Sequence, residues 1–161
     1  MGVSVRWPGG QGVKGGAGMA AEVRRCPGGI GYVPLSYALQ SKLPYGLVQN
    51  RVGTFVKADW KSVAAAAAAR AEGLPEDLRY SPTDAPGKES YPISGAVFAI
   101  VSDRMPAARR QALVQFLRWA THEGQQHSEE VNQGRLPREL VERVAKQLDR
   151  LQGGKIGRAH V

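Results

Sequence analysis

A glycine-rich loop near the start of the chain has the residue types that could bind an anion. Residues 10–15, GQGVKG, match the GxGxxG spacing of dinucleotide-binding loops. That fingerprint also needs an acidic residue about 20 positions further on, whereas Glu22 follows too soon, inside a helical pattern. A P-loop is excluded because Lys14 precedes glycine and not serine or threonine. Two hypotheses stay open: Gly15 and Gly16 give an anion access to free helix amides, or they only allow a tight turn.

Other chemistry-bearing residues are sparse along the chain. The single cysteine, Cys26, cannot form an internal disulfide, and its place on an apolar helix face predicts a buried, inert side chain. His122 and His127 stand in a polar stretch without a third ligand, so we expect no zinc site. No nucleophile–base pair, metal cluster or pair of carboxylates emerges from the sequence. We therefore expect no enzyme, no catalytic residue, no metal and no cofactor.

The net charge of +8 raises the question of a nucleic-acid partner. The 22 basic residues are spread along the whole chain, however, and aromatic residues do not alternate with a basic run. Pairs such as Glu139 with Arg143 and Glu142 with Lys146 have the spacing of ion pairs on a helix surface. A solvated basic surface is favoured over a nucleic-acid site.

The composition, 42% hydrophobic and 22% charged, is that of an ordinary globular chain. No apolar run reaches the roughly 18–20 residues of a membrane span. The start, Met1-Gly2-Val3, leads almost directly into a strand pattern without a basic and then apolar leader. We expect no signal peptide in this sequence.

Hydrophobic periodicity predicts alternating strands and helices. A strand at 3–7, the glycine loop, a helix ending near Pro27 and a strand at 30–33 give the outline of a βαβ unit. The last helix has an apolar face formed by Leu140, Val141, Val144, Leu148 and Leu151, and the one before it a face formed by Ala112, Leu113, Phe116, Leu117 and Ala120. The pattern also predicts strands at 43–49, 54–57 and 96–101, helices starting at Pro34, Asp59 with Ser62, Pro106 and Pro137, a loop at 73–90, and Gly124 as a helix cap or kink.

Three collinear blocks of the chain resemble one family. Residues 7–33, WPGGQGVKGGAGMAAEVRRCPGGIGYV, are similar to the WPxGxGxKGNxGVAxxVxxxPGAIGYV segment of the phosphate-binding subunit of bacterial phosphate ABC transporters. The departures are Gly16, where the family usually has Asn, and Gly29, where it usually has Ala. Residues 74–101, with APGKESYPIS, and 112–144 resemble later segments, and an LVxNxxGxFVxA run lies between the first two blocks. Gly134 or Arg135 stands where the family tends to have Tyr.

The resemblance implies an α/β type II periplasmic solute-binding fold, present here only as a C-terminal fragment. Residues 1–90 would form the latter half of the second lobe, and 91–151 the crossover strand and helices that return to the first lobe. Ser94 and Gly95 would lie near the hinge crossing. Without the first-lobe sheet, Phe98, Leu113 and Phe116 would be partly exposed.

The function implied for the full-length protein is to bind phosphate outside the cytoplasm, in the periplasm or at the cell surface, and to deliver it to the membrane permease of an ABC transporter. The family's phosphate-binding motifs precede the WP segment, so no phosphate ligand is carried over, and Gly15 and Gly16 stay weak candidates. The fragment itself is expected not to bind. The alternative is a ligand-sensing or regulatory domain of the same fold.

The end of the chain differs in character from the rest. Residues 156–161, IGRAHV, look like the translation of a common short-read sequencing adapter in one frame. We expect residues 152–161 to be a non-native tail.

Overall fold

A computed structural model describes residues 6–71, 73–102 and 104–153. Within these ranges the chain forms two compact units, one ending at Tyr45 and the other beginning at Gly46. The helices are Gly15–Arg25 (α1), Leu35–Gln40 (α2), Trp60–Ala68 (α3), Ala107–Thr121 (α4) and Arg138–Gln152 (α5), with a 3-10 helix at Glu123–His127. The strands Val48–Gln49 (β1) and Phe55–Val56 (β2) pair antiparallel, with Val48 opposite Val56.

The first unit packs α1 against the segments that follow it. A Cβ at Gly31 would lie 2.5 Å from Met19 Sδ and 2.8 Å from Val23 Cγ2, so the glycine lets residues 30–33 pass close to this face of α1. The side chain of Arg24 in the last turn of α1 donates to the carbonyl of Ser41, just after α2. Residues 30–33 thus lie beside the helix, as the sequence predicts, but without strand pairing.

The second unit has its core between α4 and α5. Val114 of α4 is buried with Leu148 and Leu151 of α5, and three partly buried side chains complete the cluster, those of Val101, Leu117 and Val144. The apolar face predicted for α5 is confirmed, since Leu140 is buried as well. On α4 the residue that the helix buries is Val114, whereas Phe116 of the predicted face is 58% exposed.

The start of α3 has the cap that the sequence predicts. Asp59 Oδ1 accepts a hydrogen bond from the Ser62 amide at 2.8 Å, and Ser62 Oγ accepts one from the Asp59 amide at 3.1 Å. This capping box satisfies two amides that the helix itself leaves unpaired. Ser62 Oγ also donates to the Lys57 carbonyl at 2.7 Å, which joins α3 to the end of β2.

Asn50, at the turn between β1 and β2, organises the long loop at 73–90. Its side chain is buried, with 5% of the residue exposed. Oδ1 accepts from the amides of Val52 at 3.2 Å and Thr54 at 3.0 Å, which closes the turn. Nδ2 lies 3.0–3.3 Å from three carbonyl oxygens of the loop, those of Gly87, Lys88 and Ser90. One carboxamide therefore holds two irregular segments together.

Two of the predicted strands are not strands in the structure. Residues 30–33 and 96–101 are without regular secondary structure, and Ile30, Val97 and Ile100 are each at least 94% exposed. An extended segment needs a neighbouring strand for its backbone groups, and the described chain supplies none at either place. The βαβ unit is consequently not formed in the described residues, and residues 3–5 of its predicted first strand lie outside them.

The remaining predicted elements differ only locally. The predicted strands at 43–49 and 54–57 shrink to the two-residue β1 and β2. Pro106 and Pro137 immediately precede α4 and α5 as N-caps, and α4 ends at the cap His122, so Gly124 lies inside the 3-10 helix and is not a cap. Of the predicted tail, Gln152 ends α5 and Gly153 caps it, and residues 154–161 lie outside the described residues.

The ion pairs predicted on α5 are replaced by others. Glu142 Oε1 pairs with Arg138 Nε at 2.9 Å, one turn earlier, in place of Lys146. Arg143 donates to the carbonyl of Leu74, in place of pairing with Glu139. Arg143 is engaged outside its own helix, because the Leu74 carbonyl at the start of the 73–90 loop lies within reach of its guanidinium group.

Replacing Asn50 by Ala should destabilise the second unit by about 2–3 kcal/mol, because buried backbone groups of the turn and loop lose their partner. The matched control is Gln49→Ala, whose exposed side chain makes one hydrogen bond, to the Gly53 carbonyl at 3.1 Å, and which should cost less than about 1 kcal/mol. Urea denaturation followed by circular dichroism measures both. Equal losses for the two variants would show that the Asn50 network does not hold the loop.

Candidate functional site

The N-terminus of α1 carries the two glycines singled out from the sequence. Lys14 is the N-cap, with extended backbone, and its side chain makes no capping hydrogen bond. The first turn contains no acidic residue. Gly15 has φ +69, a left-handed conformation that favours glycine, and a Cβ there would meet no atom within 4 Å. The helix start is thus open, with the positive end of its dipole uncapped by a side chain.

Gly16 has a packing role that the structure makes explicit. A Cβ at this position would lie 2.7 Å from Cδ2 of Tyr37, which is shorter than a van der Waals contact. Because Gly16 has no side chain, the Tyr37 ring of α2 can pack against the start of α1. Lys14 and Gly15 are exposed, so an anion here would keep most of its water, and a single charge at 4 Å in water contributes only about 1 kcal/mol. Anion binding at Gly15 and Gly16 stays a prediction.

Glu22 and Cys26, in and just after the second half of α1, both lie at the protein surface. Glu22 forms an ion pair with Arg25 at 2.7 Å, so its carboxylate is engaged on the helix surface. Cys26 is exposed, and the prediction that it is buried is wrong. The reason is its position: Cys26 is the C-cap of α1, where the backbone leaves helical geometry (φ −103, ψ 102) and the apolar face no longer continues.

The histidines are engaged in local hydrogen bonds. His122 Nδ1 lies 3.0 Å from the Arg118 carbonyl and 3.1 Å from Thr121 Oγ1. His127 Nδ1 lies 3.3 Å from Glu130 Oε2. Within the described ranges, no group of three or more His, Cys, Asp or Glu side chains is placed to hold a metal ion.

An open groove of about 760 Å³ lies in the second unit. Apolar side chains from α3, the 73–90 loop, the 96–101 segment, α4 and α5 line much of it, including Val63, Leu78, Phe98, Leu117, Leu140 and Leu148. Tyr80 meets Phe98 edge to face at 6.3 Å, and burial raises the pKa of the Tyr80 hydroxyl. The groove can accommodate apolar side chains, but its largely apolar lining gives few hydrogen-bond donors to a hydrated anion.

The cationic side chains nearest this groove are already paired with carboxylates. Arg135 pairs with Glu129 at 3.1 Å, and Arg150 pairs with Glu76. Other described pairs on the surface are Arg51–Asp84, Arg79–Asp77 and Arg118–Asp149. Exposed pairs of this kind add little to stability, but they neutralise the guanidinium groups that could otherwise attract phosphate.

Gly134 lies where the loop before α5 meets α3. A Cβ at Gly134 would lie 3.0 Å from the Ala64 amide nitrogen and 3.1 Å from Val63 Cγ1. The loop before α5 therefore approaches the backbone of α3 directly, at a place where the resembling family tends to have Tyr at this position or at Arg135.

Sequence comparison identifies relatives along most of the chain. The phosphate-binding protein PstS of Xylella fastidiosa (strain 9a5c) is 38% identical over 144 residues, which are 89% of this chain and 40% of that protein. PstS of Pasteurella multocida is 33% identical over 147 residues, 91% of this chain and 43% of that protein. PstS of Methanocaldococcus jannaschii is 35% identical over 141 residues, 77% and 36% of the two chains. No protein-family model matches the chain.

These similarities indicate the class of protein. The relatives are binding proteins, not enzymes, and the similarity to them implies a periplasmic binding protein fold. Within that class, the predicted resemblance to the phosphate-binding subunit is confirmed, and the chain is a relative of part of the PstS proteins. The chain spans less than half the length of the curated relatives it matches. Its structure is mostly helical, with a single two-stranded ribbon in the described residues, so the sheet of that fold is not formed.

Sequence reasoning missed the role of Asn50. The signal was available, because Asn50 is the fixed Asn of the LVxNxxGxFVxA run and opens a turn closed by Gly53. Asparagine side chains at such positions bond to the backbone two residues on, as Asn50 does to Val52. Its second set of bonds, to the loop at 87–90, involves sequence separations that local patterns do not show.

Two glycine-to-alanine variants of α1 separate the effect of Gly16 on packing from the general gain in helix propensity. Gly16→Ala should lower the free energy of unfolding of the first unit by about 1–2 kcal/mol, because the Tyr37 ring must shift. Gly18→Ala is the matched control: its Cβ would lie 3.6 Å from Val13 Cβ, an ordinary contact, so the change should stabilise α1 by about 0.5–1 kcal/mol. Thermal unfolding measures both. A stabilising Gly16→Ala would contradict the packing role.

Proposed function

We propose that this chain is a segment of an extracytoplasmic phosphate-binding protein that delivers phosphate to the membrane permease of an ABC transporter. The observation that carries the proposal is the 38% identity over 144 residues to a protein named for phosphate binding. In this role the complete protein binds and releases its ligand without catalysis. It acts in the periplasm or at the cell surface. None of the described helices is long and apolar enough to cross a membrane.

The proposed arrangement places residues 1–90 in the second lobe and 91–151 in the return to the first, with the hinge near Ser94 and Gly95. Ser94 is buried, its Oγ donates to the Tyr91 carbonyl at 2.8 Å, and its own carbonyl accepts from Thr83 Oγ1 at 2.9 Å. Three residues after Ser94, Val97 is 94% exposed. The change from an anchored to an uncovered chain at this point supports a crossing between two lobes.

The segment alone should bind phosphate negligibly. Capture of phosphate requires charge-assisted donors that converge on a dehydrated anion, from two lobes that close around it. In the described residues, the groove of the second unit is largely apolar, and the arginines that line it are paired with glutamates. The start of α1 offers amides without such convergence. These features support placing the phosphate ligands in the part of the protein that this chain does not span.

The test is a hybrid in which this chain replaces the matching 144-residue segment of the Xylella fastidiosa relative. Isothermal titration with phosphate should show saturable binding by the hybrid, as by the unmodified relative, and no saturable signal with the isolated chain. Sulfate serves as the matched control anion.

Two results would contradict this account in different ways. A folded hybrid that does not bind phosphate would overturn the proposal that this chain serves as a segment of a phosphate-binding protein. Saturable micromolar binding of phosphate by the isolated chain would overturn the claim that the segment lacks its ligands. In that case Gly16→Ala and Gly18→Ala would show whether the start of α1 holds the anion.

A further inference from the structure

Residues 90–94, which we call the anchored stretch, are fixed to the second unit at nearly every position. Their exposure alternates, with the buried positions at Ser90, Pro92 and Ser94. The Ser90 carbonyl accepts a hydrogen bond from Asn50 Nδ2 at 3.3 Å, and the Tyr91 amide donates to the Ser62 carbonyl of α3 at 3.1 Å. The stretch is thus tied both to the β1–β2 turn and to α3.

The C-terminal end of the anchored stretch depends on the hydroxyl of Thr83. Thr83 Oγ1 donates to the Ser94 carbonyl at 2.9 Å, and the neighbouring Asp84 amide donates to the Pro92 carbonyl at 2.8 Å. Ser94 is only 4% exposed, so water has little access to replace this donor. A buried acceptor that loses its donor is costly. The Thr83 hydroxyl therefore decides whether the last residue of the stretch stays fixed.

The anchoring stops at Gly95. Residues 95–101 make no hydrogen bond to another described residue. Gly95 is exposed, and a Cβ there would meet no atom within 4 Å. Hinges between lobes are a few loop residues that absorb large changes of φ and ψ, and glycine is the residue least restricted in them. The chain thus has a fixed end at Ser94, followed directly by a residue suited to bending.

We propose that Thr83 is a positioning residue: by holding Ser94, its hydroxyl confines the bend between the lobes to Gly95 and keeps it out of the anchored stretch. The proposal rests on the proposed function, in which the chain crosses between the lobes at Ser94 and Gly95. A confined bend limits the orientations that the lobes adopt before phosphate arrives. It raises the fraction of protein able to close, and the apparent dissociation constant is the intrinsic one divided by that fraction.

The local effect is measured on the whole chain by amide hydrogen exchange. Thr83→Val keeps the branched shape but loses the donor, and it should speed exchange of the Asp84 amide about tenfold. Thr83→Ser keeps a hydroxyl and should retain slow exchange. The matched control is Thr54→Val, because Thr54 is exposed and its hydroxyl makes no hydrogen bond among those described. It should leave the exchange rate unchanged.

The effect on the lobes is measured in the hybrid with the Xylella fastidiosa relative. Pulsed electron paramagnetic resonance gives the distance between two nitroxides, one on Lys61→Cys in α3 and one on the part of the relative that precedes this segment. Cys26, the single cysteine of this chain, is replaced by serine. Thr83→Val should broaden the distance distribution of the hybrid without phosphate. Thr83→Ser and Thr54→Val should leave it unchanged.

Phosphate binding to the same hybrids separates positioning from damage to the bound site. Thr83→Val should lower the association rate about three- to tenfold and leave the dissociation rate unchanged, because it reduces the fraction of protein able to close. Thr83→Ser should restore the association rate. An affinity loss confined to faster dissociation would place the effect of Thr83 in the bound site and would overturn the positioning role.

The proposal is also overturned if Thr83→Val leaves Asp84 exchange or the distance distribution unchanged. Equal effects of Thr83→Val and Thr54→Val would overturn it as well. Failure of the proposed function has a different sign, a folded hybrid that does not bind phosphate. The distance distribution is recorded without phosphate, so it tests the positioning role even then.

Discussion

The backbone's need for hydrogen-bond partners governs which parts of this chain acquire regular structure. A helix satisfies its interior amides and carbonyls from within, whereas an extended segment depends on a neighbour. The five α-helices accordingly form, and α2, α3, α4 and α5 begin directly after the starts that the sequence predicts at Pro34, Asp59, Pro106 and Pro137. The segments at 30–33 and 96–101, predicted as strands, are without regular secondary structure in the described chain. The chain spans 40% of the Xylella fastidiosa relative, and within the described residues its helices form while these two segments have no paired neighbour.

Hydrogen bonds from side chains to the backbone connect the irregular segments of the second unit. Asn50 joins the β1–β2 turn to the loop at 87–90, and Thr83, in the same 73–90 loop, joins it to Ser94. These bonds connect the 18 residues of the loop, which contain neither helix nor strand, to the rest of the unit. Because buried polar side chains are costly without partners, each of these contacts also specifies one arrangement of the loop. The second unit therefore holds its irregular half by polar contacts and its helical half by the apolar core around Val114.

The sequence predicted the features that depend on nearby residues. The Asp59–Ser62 cap, the starts of α4 and α5 and the apolar face of α5 follow from spacings within a few turns. Burial of Cys26 and the ion pairs on α5 were predicted wrongly. Cys26 lies at a helix end, Arg143 bonds to a distant loop, and Glu142 pairs with Arg138 on its own helix. The partial exposure of Phe98, Leu113 and Phe116 was predicted from the family resemblance and is confirmed. The candidate anion site at Gly15 and Gly16 stays a prediction, since geometry gives Gly16 a packing role.

Amide hydrogen exchange of the isolated chain, followed residue by residue at high dilution, tests most directly whether the segment at 96–101 has no backbone partner within the chain. Exchange reports local opening, and unpaired amides exchange almost as fast as in an unfolded chain. The account predicts protection in α4, α5 and at Ser90 and Tyr91, whose amides donate to backbone carbonyls, together with rapid exchange at 96–101. Strong protection of 96–101 in the dilute monomer would show that this segment finds a partner within the chain, and would contradict the central claim.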